Sequence, residues 1–159
     1  MSSVRSEAAP GIRPMQHRDL PEIAAIERRS YEFPWSQGVF RDCLLAGYQC
    51  LVLEQAEQVQ GYAILSVAAG EAHILNLCIA AEVRAYGFGA MLLDQLLAHA
   101  RSAEAERVLL EVRPSNTVAI GLYRKRGFMQ IGTRHHYYQA VYGREDAMVF
   151  ALPLNNSRT

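Results

Sequence analysis

Lysine is almost missing from this chain: of its 16 basic residues only Lys125 is not arginine. A Schiff-base mechanism therefore has one candidate amine, which lies between Arg124 and Arg126 on what reads as a solvated helix end. A charge excess of one sign is missing too. Sixteen basic and 16 acidic residues leave a formal net charge of +0 and a pI of about 7.0, without the basic footprint that holds a protein on nucleic acid regardless of sequence. Cysteine is confined to Cys43, Cys50 and Cys78, an odd count with no CxxC spacing. Free thiols in a reducing cytoplasm fit that pattern better than a disulfide framework, and a Cys/His hydrolase has no spacing to support it. No apolar run approaches the roughly 18 residues that span a bilayer. Residues 1–10 lack the apolar region of a signal peptide and are expected to be a flexible lead-in, which makes the cytoplasm the expected location. Internal repeats, low-complexity tracts and linkers are absent as well, so one domain is expected over residues 11–153, with a flexible tail at 154–159.

What is present centres on residues 74–128. The run Ile74-Leu75-Asn76-Leu77-Cys78-Ile79 is apolar on both faces except at Asn76, the composition of a strand in the middle of a sheet. After a short connection over residues 80–86 the pattern turns helical at Gly87, with Met91, Leu92, Leu93, Leu96 and Leu97 as an apolar stripe. The glycines of Gly87-Phe88-Gly89 thus sit where strand becomes helix. A helix start has free N–H groups and the positive end of a macrodipole, and glycine lets a phosphate approach that backbone closely. The motif is neither a GxGxxG fingerprint nor a P-loop, whose lysine this stretch lacks, and for an isolated GxG a plain strand-to-helix turn is the commoner account, so the weight falls on the residues downstream.

A second apolar strand follows at residues 108–112, interrupted by one carboxylate, Glu111. Pro114 ends it, and a short helix from about Thr117 turns Ile120, Leu122 and Tyr123 inward before stopping at Gly127. Upstream, residues 11–15 form a candidate edge strand. Asp19 and Pro21 mark a helix start, with Asp19 as capping carboxylate and Ile23 and Ile26 facing inward. That helix is expected to end near Tyr31; Ser36 then caps a second one, whose Val39, Phe40, Cys43 and Leu44 are apolar at helical spacing. Residues 51–54 and 62–68 read as a hairpin around a polar connection at 55–60. Strands at 130–137 and 145–152 flank a segment rich in tyrosine, including Tyr137, Tyr138 and Tyr142. Adjacent His135 and His136 would face opposite sides of a strand, which argues against a two-histidine metal site.

Three stretches carry a resemblance. Arg84-x-x-Gly87-x-Gly89, Leu110-Glu111-Val112-Arg113-x-Ser115-Asn116, and Ala119-Ile120-x-Leu122-Tyr123-x-x-x-Gly127-Phe128 resemble the GNAT family of acetyl-CoA-dependent N-acetyltransferases. Within it they are most similar to RimI-type ribosomal-protein-alanine N-acetyltransferases, and Phe33-Pro34-Trp35, Tyr137-Tyr138 and Gly143-Arg144-Glu145-Asp146-Ala147 extend the likeness over nearly everything after Asp19. The resemblance implies a GNAT fold of the α/β (α+β) class, a mixed central β-sheet of about six or seven strands flanked by about four helices. It also implies acetyl-CoA as cosubstrate, no metal, and an acceptor that is the amino-terminal alanine of small-subunit ribosomal protein eighteen. The protein is expected to act as a monomer, without direct contact to nucleic acid or membrane.

Acetyl transfer to an amine needs a neutral amine, a stabilised oxyanion and a proton for the departing thiolate. An α-amino group titrates at about 7.7 to 8.0, so modest help from a base suffices. Glu111 is the candidate base: desolvation on an apolar strand is expected to raise its pKa, and it matches the family's catalytic glutamate. The plainer alternative is an ion pair with Arg113 or another arginine at the strand end. Tyr123 is the candidate acid, matching the family tyrosine beside the coenzyme sulfur; the alternative is a core tyrosine. By the same resemblance, backbone groups of Leu77, Cys78 and Ile79 meet the acetyl carbonyl and pantetheine arm. Arg84, Ala85, Tyr86, Gly87, Phe88, Gly89 and Ala90 take the pyrophosphate, and Asn116 binds the coenzyme. Phe33, Trp35, Tyr137 and Tyr138 shape the peptide site, although Phe33 and Trp35 also suit a hydrophobic staple. Ala85 and Tyr86 stand where family loops carry basic or small residues, which bears on coenzyme affinity. Two other functions remain open at this level: acetylation of other protein N-termini or a small amine, and a non-catalytic acyl-CoA sensor.

Overall fold

The computed structural model describes residues 8–140 and 143–154. Residues 1–7 of the expected lead-in and 155–159 of the expected tail fall outside these residues, as does Tyr142. Seven strands, β1 (Gly11–Pro14), β2 (Gln49–Gln55), β3 (Gln58–Ala68), β4 (Glu71–Ile79), β5 (Arg107–Val112), β6 (Met129–Ala140) and β7 (Gly143–Pro153), hydrogen-bond in the order β1-β2-β3-β4-β5-β7-β6. Four α-helices accompany them among the described residues, α1 (Leu20–Ser30), α2 (Gln37–Leu45), α3 (Phe88–Ser102) and α4 (Thr117–Lys125), with 3-10 turns at His17–Asp19 and Ala81–Tyr86. β4 and β5 run parallel, whereas β1–β2, β2–β3, β5–β7 and β6–β7 are antiparallel. The sheet is therefore mixed, as expected from helices and strands that alternate only after Gly87. No helix among the described residues is long and apolar enough to cross a membrane.

The chain divides into two compact units. The first, Met1–Leu65 with Asn76–Leu96, holds β1, β2, most of β3, the end of β4, α1, α2 and most of α3. Its core is built from Ile23, Phe40, Val52, Leu53, Tyr62, Ile64, Leu92 and Leu93, all fully buried. Ile23 and Ile26 face inward on α1 as their spacing predicts, but Val39 and Met91 are exposed. Each lies one residue, about 100° of helix rotation, to the side of the buried stripe of α2 or α3. The β2–β3 hairpin is tighter than expected: Gln55 pairs with Gln58, and only Ala56 and Glu57 form the turn, both at positive φ. Such a two-residue turn matches the twist of the strands it joins, so they run on into the polar segment.

Asp19 does not cap α1. Its buried carboxylate accepts two hydrogen bonds from the Arg13 guanidinium, at 2.8 Å each, and one from the Gln16 N–H at 2.8 Å. A bidentate guanidinium is a stronger partner than an N-terminal amide, and it holds the Asp19 carboxyl below its ordinary value. Ser36 does cap α2, accepting from the Val39 N–H at 3.3 Å.

The second unit, Ser66–Leu75 with Leu97–Thr159, holds the start of β4, β5, α4, β6 and β7. β4 and β5 pair from Glu71 with Arg107 to Ile74 with Leu110, and β5 pairs with β7 over its full length. β6 and β7 extend well beyond the expected strands, because Tyr138, Gln139 and Ala140 pair with Glu145, Arg144 and Gly143 where a loop was expected. Their register breaks twice, between Gln130 and Gly132 and between Arg134 and Tyr138. Val108, Leu110, Ala147, Phe150 and Phe128 are buried, while Lys125 closes α4 on the surface.

Candidate active site

The end of β4 is seated against Gly61 of β3. A Cβ at Gly61 would stand 2.6 Å from Ile79 Cδ1, 3.0 Å from the Cys78 carbonyl oxygen and 3.3 Å from Leu92 Cδ1. Only glycine permits that approach. The Ala80 N–H then donates to the Gln60 carbonyl at 2.7 Å, and the 3-10 turn begins. Arg84 folds back over it, its Nε donating to the Ile79 carbonyl at 2.8 Å and its Nη2 to Ser30 Oγ at 3.2 Å. The Ile79 carbonyl is thus already engaged, whereas Leu77, Cys78 and Ile79 all lie beyond the end of the β4–β5 ladder. The Cys78 thiol, buried, donates to Ser30 Oγ at 3.5 Å.

Gly87 follows in the left-handed region, with φ 80° and ψ 13°, and α3 starts at Phe88. No atom lies within 4 Å of the position a Gly87 Cβ would take, so the backbone there is open. α3 has no acidic residue in its first turn, and its leading N–H groups and dipole are available to an anion. Tyr86 is exposed and its ring lies 5.9 Å from that of Phe88. Ala85, Gly89 and Ala90 complete the turn and the first turn of α3.

In the same unit Glu27 of α1, unnoticed in the sequence, is a buried carboxylate surrounded by donors. Oε1 accepts from the Tyr62 hydroxyl at 2.7 Å and the Asn76 amide at 3.2 Å; Oε2 accepts from the Trp35 N–H at 3.0 Å. The segment holding Phe33 and Trp35 is therefore pinned by a hydrogen bond as well as by packing, with Trp35 against Phe40 at 5.2 Å and Phe33 left exposed. Burial first, with Cys78 and Glu27 nearby, pushes the Tyr62 hydroxyl well up.

In the second unit Glu111 projects from β5, its side chain 9% exposed. His73 Nε2 of β4 lies 2.6 Å from Oε1, and Arg134 Nε of β6 lies 3.3 Å from Oε2. The expected upward shift is not found. The hydrogen bond from His73 outweighs desolvation, and the carboxyl is held below its ordinary value, with Arg134 adding to the effect. Arg113 is not its partner: that guanidinium donates to Glu145 at 2.9 Å and lies 4.3 Å from the Tyr138 ring centroid.

Tyr123 of α4 is buried edge-on against Phe128 at 5.6 Å, and burial pushes its hydroxyl well up. Tyr138 is half-buried and shifted the same way, chiefly by burial, with Tyr137 and Glu111 nearby adding to the effect. Tyr137 is exposed, 4.9 Å from the Tyr138 ring, with Arg134 5.4 Å from its own. Asn116 caps α4, its side-chain oxygen accepting from the Ala119 N–H at 3.3 Å. His136 sits at φ 56° within the register break of β6. The His135 ring and the His136 N–H both reach Asp146, at 3.3 and 2.9 Å. Among the described residues no group of three or more His, Cys, Asp or Glu is placed to hold a metal.

Glu111 is thus brought together with His73 and Arg134, and Tyr138 with Tyr137 and Arg113. His73, Arg134 and Glu27 were all missed from sequence. His73 carried one signal, a polar residue beside a buried strand and on the opposite face from Ile74.

The family model for the acetyltransferase (GNAT) family matches residues 20–128. Among curated proteins, the chain is 34% identical over 144 residues to a ribosomal protein bS18-alanine N-acetyltransferase of Escherichia coli K12, covering 91% of this chain and 97% of that one. The enzyme of the same name from Salmonella typhimurium LT2 is 35% identical over 137 residues, covering 86% and 93%. Among solved structures, the ribosomal-protein-S18-alanine N-acetyltransferase of Escherichia coli superposes with a TM-score of 0.85 at 34% identity, over 91% of this chain and 94% of that one.

Proposed function

This chain belongs to the GNAT family of acetyltransferases, and from that premise we propose that it acetylates the amino-terminal alanine of ribosomal protein bS18. It is an acetyl-CoA-dependent N-acetyltransferase. The acceptor assignment is carried by identity of 34% across 91% of the chain to enzymes named for that reaction. Residues 11–153 would form the one acetyltransferase domain, working in the cytoplasm where ribosomal proteins are made.

Acetyl-CoA supplies an acetyl group activated as a thioester. The residues of the first unit fit its polar half: the open backbone at Gly87, the first turn of α3 free of carboxylates, and Arg84 beside them suit a pyrophosphate. Beyond the β4–β5 ladder, Leu77, Cys78 and Ile79 would receive the pantetheine arm through their backbone, less the Ile79 carbonyl. Asn116 would contribute its amide N–H groups, its oxygen being used as a cap.

Glu111 takes a proton from the α-ammonium, leaving the electron pair on nitrogen; the new N–C bond forms and the C–S bond breaks. The depressed pKa keeps Glu111 ionised at neutral pH, so the basic form is always present although each proton it takes is weakly held. Tyr123 gives the proton to the departing thiolate, and burial keeps that hydroxyl protonated until then. Phe33, Trp35, Tyr137 and Tyr138 would line the path of the peptide.

The test is mass spectrometry of an alanine-starting bS18 peptide incubated with the protein and acetyl-CoA. One acetyl group on the α-amine is expected, and its yield should fall by about 10²- to 10⁴-fold in Glu111→Gln or Tyr123→Phe. No acetylation in a sample that binds acetyl-CoA would overturn the acceptor assignment; full activity in either variant would overturn that residue's role.

A further inference from the structure

Glu111 presents a chemical difficulty. Its carboxyl is held below its ordinary value of about 4.3, whereas an α-ammonium titrates at about 7.7 to 8.0, so a proton passed to Glu111 alone moves steeply uphill. Histidine is the side chain that accepts and releases protons in the neutral range, and one stands 2.6 Å from the carboxylate. Exposure favours the same direction. The Glu111 side chain is 9% exposed and that of His73 is 32%, so the imidazole is the partner in touch with solvent.

We infer that His73 is a positioning residue that relays the substrate proton from Glu111 to water, an inference resting on the assignment of Glu111 as base. The ammonium proton passes to Glu111 with the electron pair left on nitrogen. At rest Nε2–H donates to the ionised carboxylate; once Glu111 is protonated, exchange with water moves the imidazole to its Nδ1–H tautomer, Nε2 takes the proton from Glu111, and the Nδ1 proton leaves to solvent, which restores the resting Nε2–H form. No electrons change hands, and the sum is a neutral amine plus one solvated proton.

The surroundings bias the relay in this direction. Arg134 of β6, 3.3 Å from Oε2, stabilises the empty carboxylate and so drives a captured proton onward. Tyr138, also on β6 and near enough for the Glu111 charge to raise its pKa, is a neutral phenol, and Arg113, just past the end of β5, donates to Glu145 of β7. Register supplies the geometry: His73 pairs with Leu109, two residues before Glu111, so both side chains leave the same face of adjacent parallel strands.

The experiment uses the full chain, the alanine-starting peptide and acetyl-CoA, with kcat followed against pH. His73→Ala is expected to lower kcat by about tenfold or more at neutral pH while KM for acetyl-CoA holds, and added imidazole should restore much of the rate. His73→Gln keeps an N–H donor for Glu111 but carries no proton, and it should be as slow as His73→Ala. Wild-type rates in His73→Gln would reduce His73 to a hydrogen-bond donor and overturn the relay, as would a loss in His73→Ala that imidazole does not restore. Glu111→Gln separates the two assignments. If it is fully active, the base assignment fails; if it is inactive while His73→Ala keeps the wild-type rate and pH profile, only the relay fails.

Discussion

Replacing Gly61 by alanine adds one methyl group, and the structure determines what that methyl meets. The contact at 2.6 Å is with Ile79 Cδ1, the free end of a side chain that can rotate away at small cost. The contact at 3.0 Å is with the Cys78 carbonyl oxygen, which is backbone and moves only if β4 moves. Overpacking of this kind costs about 1–3 kcal/mol, while the reduced freedom of the unfolded chain offsets about 0.4–1 kcal/mol. The net expectation is a loss of about 1–2 kcal/mol. At about 2–4 °C per kcal/mol for a chain of this size, thermal unfolding followed by circular dichroism should shift down by roughly 2–8 °C. The displacement falls on Cys78 and Ile79, so KM for acetyl-CoA should rise as well. Gly121→Ala is the internal control: that glycine lies within α4, nothing stands within 4 Å of its Cβ position, and about 0.8–1 kcal/mol of stabilisation is expected. A Gly61→Ala protein with an unchanged or raised Tm and the wild-type KM would refute the steric account of how β4 is seated.

Two further outcomes are expected. Tyr62→Phe removes a donor from the buried Glu27 carboxylate and should cost about 1.5–3 kcal/mol in urea unfolding at pH 7; stability equal to wild type would show that Glu27 does not depend on that bond. Asp19 has a folded pKa below its unfolded one, so its stabilisation is complete above the ordinary value of about 3.9 and fades as pH falls through the folded value. Wild type should therefore exceed Asp19→Asn in stability at pH 7 and lose that margin below about pH 4. A margin that persists in acid would contradict the Arg13 ion pair as its source.

The features legible in the sequence were those written in local pattern. The apolar run ending at Ile79, the stop at Pro114, the Ser36 cap and the spacing of Leu92, Leu93 and Leu96 each mark an element through neighbours only a few residues away. What was not legible depends on register. Nothing local says that His73 pairs with Leu109, and without that pairing Glu111 looks like a lone desolvated carboxylate, which is why its pKa was expected to move the wrong way. Asp19 failed as a cap for a related reason, since its true partner Arg13 is on another element. Residues 138–140 read as a loop because aromatic composition does not reveal a partner strand, and the bend at His136 hides the alternation that would have.

The solitary lysine has a consequence for the enzyme's own chemistry. A protein that works with an acetyl thioester exposes every nearby ε-amine to accidental acylation, whereas a guanidinium, protonated at any physiological pH, is a poor nucleophile. With fifteen arginines and one lysine, this chain carries its positive charge almost entirely in a form that its own cosubstrate leaves unmarked. Lys125, exposed at the end of α4, is its single self-acetylation target among side-chain amines. Its modification state would therefore serve as a built-in record of stray acetyl transfer, readable on one peptide.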